Sequence, residues 1–217
     1  ALLLLGVPVA FAIGLFSVAT IVAAGLPTAI VFQKMVGGMQ VFSFLAIPFF
    51  VFAGELMLYG GIAERIVKFA NSLVGHVKGG LGMSNVLGCT IFGGVAGSPL
   101  ADVSAIGSVM IPQMVKAGYP RVFATNVTIC GSVQALLIPP SHNAVIYSLA
   151  AGGTVSVAHL FLAGVFPGLL FALCLISLVL WTAHRRDLPL GEPIALRQVP
   201  RLVAEALWGL VTVIIIM

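Results

Sequence analysis

Glycine, serine, proline and aspartate occur together in this chain where an apolar sequence leaves little room for them. Residues 91–111 read IFGGVAGSPLADVSAIGSVMI, apolar enough for a membrane interior yet broken by Gly93, Gly94, Gly97 and the pair Ser98-Pro99, with Asp102 one turn further on. Unpaired backbone groups in lipid are costly, so an interruption of this kind is expected only where it lines a site. The glycines allow the left-handed geometry that stops a helix. Ser98 then has N-cap chemistry and Pro99 suits the first helical position. Two half-helices should therefore meet at a polar tip, the second beginning near Ser98 with its amides and positive dipole end aimed there. Half-helix N-termini hold anionic substrate groups, while unwound carbonyls and half-helix C-terminal ends coordinate sodium. Ser98 and Ser104 add hydroxyl oxygens.

A second break repeats the pattern. Residues 122–151 form an apolar run interrupted by Gly131-Ser132, then by Pro139-Pro140 and Ser141-His142-Asn143. The two prolines remove two backbone donors and leave nearby carbonyls without helical partners. Ser141 or Asn143 can cap a helix resuming at Ala144. Two interruptions at mid-membrane depth in consecutive segments point to a carrier site coupled to an ion.

Composition sets the frame for both breaks. The chain is 60% hydrophobic and 7% charged, with mean hydropathy +1.19, whereas soluble domains carry about 25% charged residues. An all-α polytopic membrane protein is the expectation. Ten Lys and Arg against six Asp and Glu lie between apolar stretches, so the positive excess reads as topology information. No basic stripe with interleaved aromatics suggests a nucleic-acid partner. Cys89, Cys130 and Cys174 are isolated in apolar segments, without C-x-x-C or a histidine at ligand spacing, and read as small core residues. Both ends fall inside apolar runs, so the chain is expected to be part of a longer protein.

Spans follow from apolar length at about 20 residues per helix. Residues 1–24 and 41–58 are the first two, with Pro48 and Glu55 inside the second. Residues 60–78 carry Arg65, Lys68, His76 and Lys78 at the spacing of an amphipathic interfacial helix. The broken stretch covers 80–111 and ends in a polar corner at 112–121. Residues 122–151 and 155–183 are further spans, the loop 184–200 holds Arg185, Arg186 and Arg197, and a partial span runs over 201–217. Both flanks of the broken stretch are basic, with Arg65, Lys68 and Lys78 before it and Lys116 and Arg121 after it. If basic loops are cytoplasmic, the stretch returns to the side it left and is a re-entrant hairpin. The remaining crossings then alternate consistently, with only Lys34 on the first external connection.

Several residues admit a plainer role. Gly164 and Gly168 are expected to permit close helix packing, and Pro48 and Pro167 to kink their helices. Asp102 either complements the helix dipole or handles a cation or proton. Glu55 either snorkels or joins the site, and His142 is a candidate for substrate contact.

These motifs together resemble a known family. GGVAGSPLADVSAIGSVMIPQMVKAGY is similar to the hairpin signature of the large membrane subunit of TRAP transporters, the tripartite ATP-independent periplasmic transporters. FLAIPFFVFAGELM at 44–57, LIPPSHNAVIY at 137–147 and HLFLAGVFPGLL at 159–170 follow the same pattern in the same order. The resemblance covers essentially the whole chain. It implies a sodium-coupled elevator-type importer of organic acids, such as C4-dicarboxylates, sialic acid or other sugar acids, in the bacterial inner membrane. It also implies a small membrane subunit, separate or fused, and a periplasmic substrate-binding protein as partners, with sodium as coupling ion and no other cofactor.

The fold so implied is one inverted repeat, with a re-entrant helical hairpin and a broken transmembrane helix. Scaffold and connecting helices would occupy 1–79, the hairpin 80–118, the broken helix 122–151, and a further helix, a cytoplasmic loop and the start of another helix 152–217. Carried over by resemblance, sodium would lie between the tip (Gly97, Ser98 and Pro99, with Asp102 nearby) and the broken helix (Gly131, Ser132, Pro139 and Ser141). Ser98, Pro140, Ser141, His142 and Asn143 would face the substrate. The alternatives are a divalent-anion:sodium symporter working without a binding protein and a purely structural membrane subunit. An intramembrane hydrolase is disfavoured, since H-E-x-x-H is absent and no serine has an evident base. G-x-x-x-x-G-K-[ST] is absent too, which argues against ATP coupling within these residues.

Overall fold

The computed structural model describes residues 6–40, 46–152 and 154–189, and every element of regular structure among them is a helix. The opening of the first expected span, residues 41–45 of the second, Arg197 and the partial span 201–217 lie outside the described residues. The chain forms two compact units, Ala1–Leu45 and Ala46–Met217.

The first unit contains α1 (Val9–Ala23) and α2 (Ala29–Met39). Gly25, at φ 69°, turns the chain between them, with its amide on the Val22 carbonyl and that of Leu26 on the Ile21 carbonyl. This is the paired bonding of a Schellman ending, which needs a residue that tolerates positive φ. Ala12 is the only buried residue of α1. The hydroxyls of Ser17 and Thr20 donate to the Ile13 and Phe16 carbonyls at 2.8 Å, so the helix presents an apolar surface with its polar atoms satisfied internally.

The second unit is built around α5 (Gly80–Ala96), which is buried on nearly every side. A helix that is apolar all round belongs either in a protein core, as α5 does, or in lipid. Its glycines thin the helix where neighbours press closest. A methyl group on Gly82 would come within 2.8 Å of Val179 Cγ1, and one on Gly93 within 3.0 Å of Ala135 Cβ. Around α5 stand α3 (Ala46–Tyr59), α4 (Ile62–Val74), α6 (Pro99–Lys116), α7 (Arg121–Ser132) with the 3-10 turn Val133–Leu136, and α9 (Val157–Arg185); α8 (His142–Ala150) packs against α3, α9 and the 3-10 turn. Phe92 and Val95 of α5 and Ile106 and Met110 of α6 belong to one hydrophobic cluster, all fully buried. Close packing of this kind supplies the cohesion that hydrophobic transfer cannot supply inside lipid.

Two elements differ from the sequence expectation. The apolar stripe of α4, Ala63, Ile66, Val67 and Ala70, is taken up by the protein core and leaves Glu64, Arg65 and Lys68 exposed on the other face. Amphipathic spacing identifies the stripe but does not name what covers it. Helix α6 also runs through Pro112 to Lys116, past the expected start of the corner. Proline removes one hydrogen bond, but Met110 and Met114 on either side of it are fully buried and hold the helix in register. The helix ends at Gly118, φ 92°, where the Tyr119 amide donates to the Met114 carbonyl.

Among the described residues, α9 is the one helix long and apolar enough to cross a bilayer by itself; α1 and α5 are apolar but shorter. Its 29 residues extend roughly 43 Å at 1.5 Å per residue, against a hydrocarbon core of about 30 Å. Leu162, Phe166, Leu173 and Trp181 stand exposed along it. The expected broken helix at 122–151 is built from three pieces, α7, the 3-10 turn and α8. Helix α9 ends with Asp187 at φ 50° and the Leu188 amide on the Ala183 carbonyl. The Lys78 ammonium donates to the Asp187 carboxylate, tying the start of the hairpin to the end of α9 and holding that carboxyl below its usual range. Tyr119 donates to the Pro189 carbonyl at 3.2 Å at the same end. Cys89 is a core residue as expected, whereas Cys130 and Cys174 lie on outer faces.

Phe92→Ala in the full-length protein is expected to cost about 3 kcal/mol or more through the cavity it opens. Phe166→Ala, at an exposed position, should leave the melting temperature of the purified protein nearly unchanged. Equal losses for both would contradict the central placement of α5.

Candidate functional site

The hairpin breaks where its glycines end. Gly97 closes α5 at φ 59° with its amide on the Gly93 carbonyl at 2.9 Å, Ser98 is extended, and α6 starts at Pro99. Ser98 thus occupies the N-cap position, but its side chain makes no capping hydrogen bond. The second break has the same form. The chain leaves the 3-10 turn at Leu137, passes Pro139-Pro140 through a cis peptide bond, and resumes as α8 at His142 behind an extended Ser141. The helix therefore resumes two residues earlier than Ala144. Ser141 Oγ donates to the Leu136 carbonyl at 2.9 Å, so it staples the break shut rather than capping α8.

The two breaks touch through backbone. A methyl group on Gly97 would lie 2.5 Å from the Pro140 carbonyl oxygen and 3.6 Å from the His142 amide nitrogen. One on Gly94 would meet Ile138 Cγ2 at 3.1 Å and the Pro139 oxygen at 3.5 Å. On the far side, Gly164 and Gly168 of α9 leave space for the Leu137 carbonyl and the Ile138 side chain. Among the described residues, the carbonyls of Leu137, Ile138, Pro139 and Pro140 accept no backbone hydrogen bond, and neither do those of Val95, Ala96 and Gly97. The first free amides of α6 and α8 lie beside them, those of Leu100 and Ala101 and of His142 and Asn143. Carbonyl ends and amide ends of half-helices are thus gathered in one place, an arrangement that can hold a cation and an anion side by side.

Beside this backbone cluster is a side-chain one. Asp102, in the first turn of α6, is fully buried, and neither carboxylate oxygen has a hydrogen bond. Ser132 and Cys89 stand next to it. Cys89 Sγ lies 3.7 Å from Ser132 Oγ and 3.6 Å from Asn85 Oδ1, while Asn85 Nδ2 donates to Thr128 Oγ1 at 2.7 Å. A buried carboxylate without a partner is costly unless a proton or a bound cation completes it.

The expected residues divide between these clusters. Gly97, Pro139, Pro140 and Ser141 are buried at the backbone junction, with Ser98 and Pro99 half-buried at its edge. Asp102 and Ser132 form the side-chain cluster, and Gly131 is buried against Cys89 rather than against the tip. His142 is half-buried with an enclosed, unbonded Nδ1, whereas Asn143 is exposed. Glu55 lies across a cleft of about 250 Å3 from Ser98 and Ser104.

Sequence reasoning missed Gln134. It is fully buried in the 3-10 turn, its Oε1 lies 2.8 Å from Thr90 Oγ1, and its Nε2 is unbonded. The available signal was a lone amide side chain between Ser132 and Pro139 in an otherwise apolar run.

Comparison with known proteins adds a second line of observation. The family model described as "Tripartite ATP-independent periplasmic transporter, DctM component" matches residues 1–217. The uncharacterized protein YgiK of Salmonella typhimurium is 44% identical over 99% of this chain and 50% of its own length. The C4-dicarboxylate TRAP transporter large permease protein DctM of Rhodobacter capsulatus is 37% identical over 100% of this chain and 52% of its own. The 2,3-diketo-L-gulonate TRAP transporter large permease protein YiaN of Escherichia coli is 35% identical over 98% and 50%. The chain thus spans about half the length of these relatives.

Gly97→Ala is expected to destabilise the full-length protein, since a left-handed backbone costs a non-glycine residue about 1–2 kcal/mol before the Pro140 carbonyl is displaced. Gly37→Ala, where nothing lies within 4 Å, should be neutral or slightly stabilising in the same thermal melt. A neutral Gly97→Ala would show that the breaks do not need their close approach.

Proposed function

This chain belongs to the DctM component family of tripartite ATP-independent periplasmic transporters, and from that premise we propose that it forms the first repeat of a sodium-coupled importer of organic acids in the bacterial inner membrane. The observation that carries the reading is the junction of Gly97 with Pro140 and His142, where free carbonyls and free amides meet. The relatives' named substrates, C4-dicarboxylate and 2,3-diketo-L-gulonate, are carboxylates. Free amides at the starts of α6 and α8 suit such anions, and free carbonyls suit sodium.

In this reading sodium is held between the free carbonyls of Gly97 and Pro139 and the oxygens of Asp102 and Ser132, with Ser98, Pro99 and Ser141 around the junction and Gly131 behind Ser132. A cation beside Asp102 supplies the partner that its buried oxygens lack. The substrate carboxylate meets Ser98, Pro140, Ser141, His142 and Asn143. Residues 80–151 move as one block past a scaffold in an elevator motion, and the packing of α6, α7 and the 3-10 turn on α5 favours their moving together. Binding and release without covalent chemistry suffice, in keeping with relatives that are permeases rather than enzymes. A small membrane subunit and a periplasmic substrate-binding protein work beside the large one in this reading, in keeping with the word tripartite in the family's description.

The test is uptake of candidate acids into vesicles by the full-length protein, with and without sodium and with and without the binding protein. Ser98→Ala and Asp102→Asn are each expected to lower sodium-dependent uptake by about tenfold, the size of one lost charge-assisted contact. Unchanged uptake and sodium dependence in both variants would remove the tip from the cation site. Uptake independent of any binding protein would overturn the tripartite assignment.

A further inference from the structure

A cleft of about 360 Å3 opens between α7 and α9, away from the helix breaks. The start of α7 adjoins the end of α9, where the Tyr119 hydroxyl donates to the Pro189 carbonyl, and Pro120 and Arg186 both line the cleft. Apolar side chains line most of it, Val127, Cys130 and Leu178 among them, and Arg186 and Thr182 stand at the end formed by the start of α7 and the end of α9. Thr182 and Arg186 sit one turn apart on α9, and Asn126 lines the cleft further along α7. The pattern is that of a membrane lipid, an oily slot with a cationic mouth.

The charge at the mouth is specific in sign. Arg186 is exposed, and Arg121, between the lining residues Pro120 and Val122, is exposed at the same end. The one carboxylate adjoining Arg186 in sequence, Asp187, is bonded to Lys78. Trp181, with Arg185 stacked over its ring at 5.1 Å, marks the depth at which indole rings settle between headgroups and acyl chains. The volume falls in the usual range of small-molecule sites, about 300–1,000 Å3. Basic pockets between membrane helices on the cytoplasmic side hold anionic headgroups.

We propose that the α7–α9 cleft is a binding site for one anionic phospholipid, its phosphate on Arg186 and an acyl chain along Val127, Cys130 and Leu178. The guanidinium offers paired donors to phosphate oxygens, and Thr182 and Asn126 are placed for the ester region. The site rests on the reading that α7 and α9 are embedded in the bilayer. Through α7 a bound lipid would bear on Ser132 and the 3-10 turn, and so on the backbone junction.

The full-length protein in phosphatidylcholine vesicles is supplied with phosphatidylglycerol carrying a diazirine on one acyl chain, irradiated, and mapped by peptide mass. Cross-links should fall on both 120–130 and 175–186 and be competed by unlabelled phosphatidylglycerol but not by phosphatidylcholine. Arg186→Gln should reduce them by about tenfold, as expected for a lost charge-assisted bond. Arg186→Lys should retain most of them, and Leu178→Trp, which fills the slot, should abolish them. Cross-links indifferent to Arg186→Gln, or competed equally by both lipids, would overturn the proposal. So would their absence from both helices, as when a protein segment fills the cleft. Sodium-driven uptake in the same vesicles is read separately, so a failed lipid site and a failed transport assignment give different results.

Discussion

The contact between the Gly97 backbone and the Pro140 carbonyl is the constraint on which the second unit depends. Two chain segments can approach this closely only if neither carries a side chain at the point of contact, and only if both have already left the helix. The glycines of α5 meet the first condition and the prolines between the 3-10 turn and α8 meet the second. The remaining packing serves the same approach. Gly93 admits Ala135, Gly164 and Gly168 admit Leu137 and Ile138 from the other side, and Thr90 anchors Gln134. Backbone polarity is thereby concentrated at one spot in an otherwise apolar body, where it is available for binding.

Much of this was legible in the residues, for a physical reason. Breaks in apolar helices require particular residue types, so Gly97-Ser98-Pro99 and Pro139-Pro140-Ser141 announce both the position and the direction of the helices that follow. The helix starts at Pro99 and His142 lie at or within two residues of the expected ones. What sequence could not supply was the partner of each group. The α4 stripe has the same spacing whether protein or lipid covers it. Ser141 has N-cap chemistry, yet its hydroxyl reaches back to Leu136 because the turn brings that carbonyl closer. Gln134 carries no periodic signature, since its importance comes from Thr90, which is distant in sequence and adjacent only in the fold. Asp102 was recognisable as unusual, but its burial beside Ser132 and Cys89 without a hydrogen bond is a property of three helices at once.

The clusters at the site differ in stiffness. The backbone junction is held by steric fit on both faces, so its oxygens are fixed before any ligand arrives. The Asp102 cluster is held by weak, long contacts to sulfur, and its carboxylate is unsatisfied. A ligand would find the first pre-organised and would complete the second. A charge that completes one cluster changes the field felt at the other, because the two adjoin.

The ion pair between Lys78 and Asp187 has a consequence for how such proteins are assembled. It joins the residue just before the hairpin to the residue just after the long helix, so the stretch from 78 to 187 begins and ends at the same place. A segment with adjoining ends is modular. Both of its ends can be reached at one place on the surface, as in segments whose adjoining termini tolerate permutation and insertion.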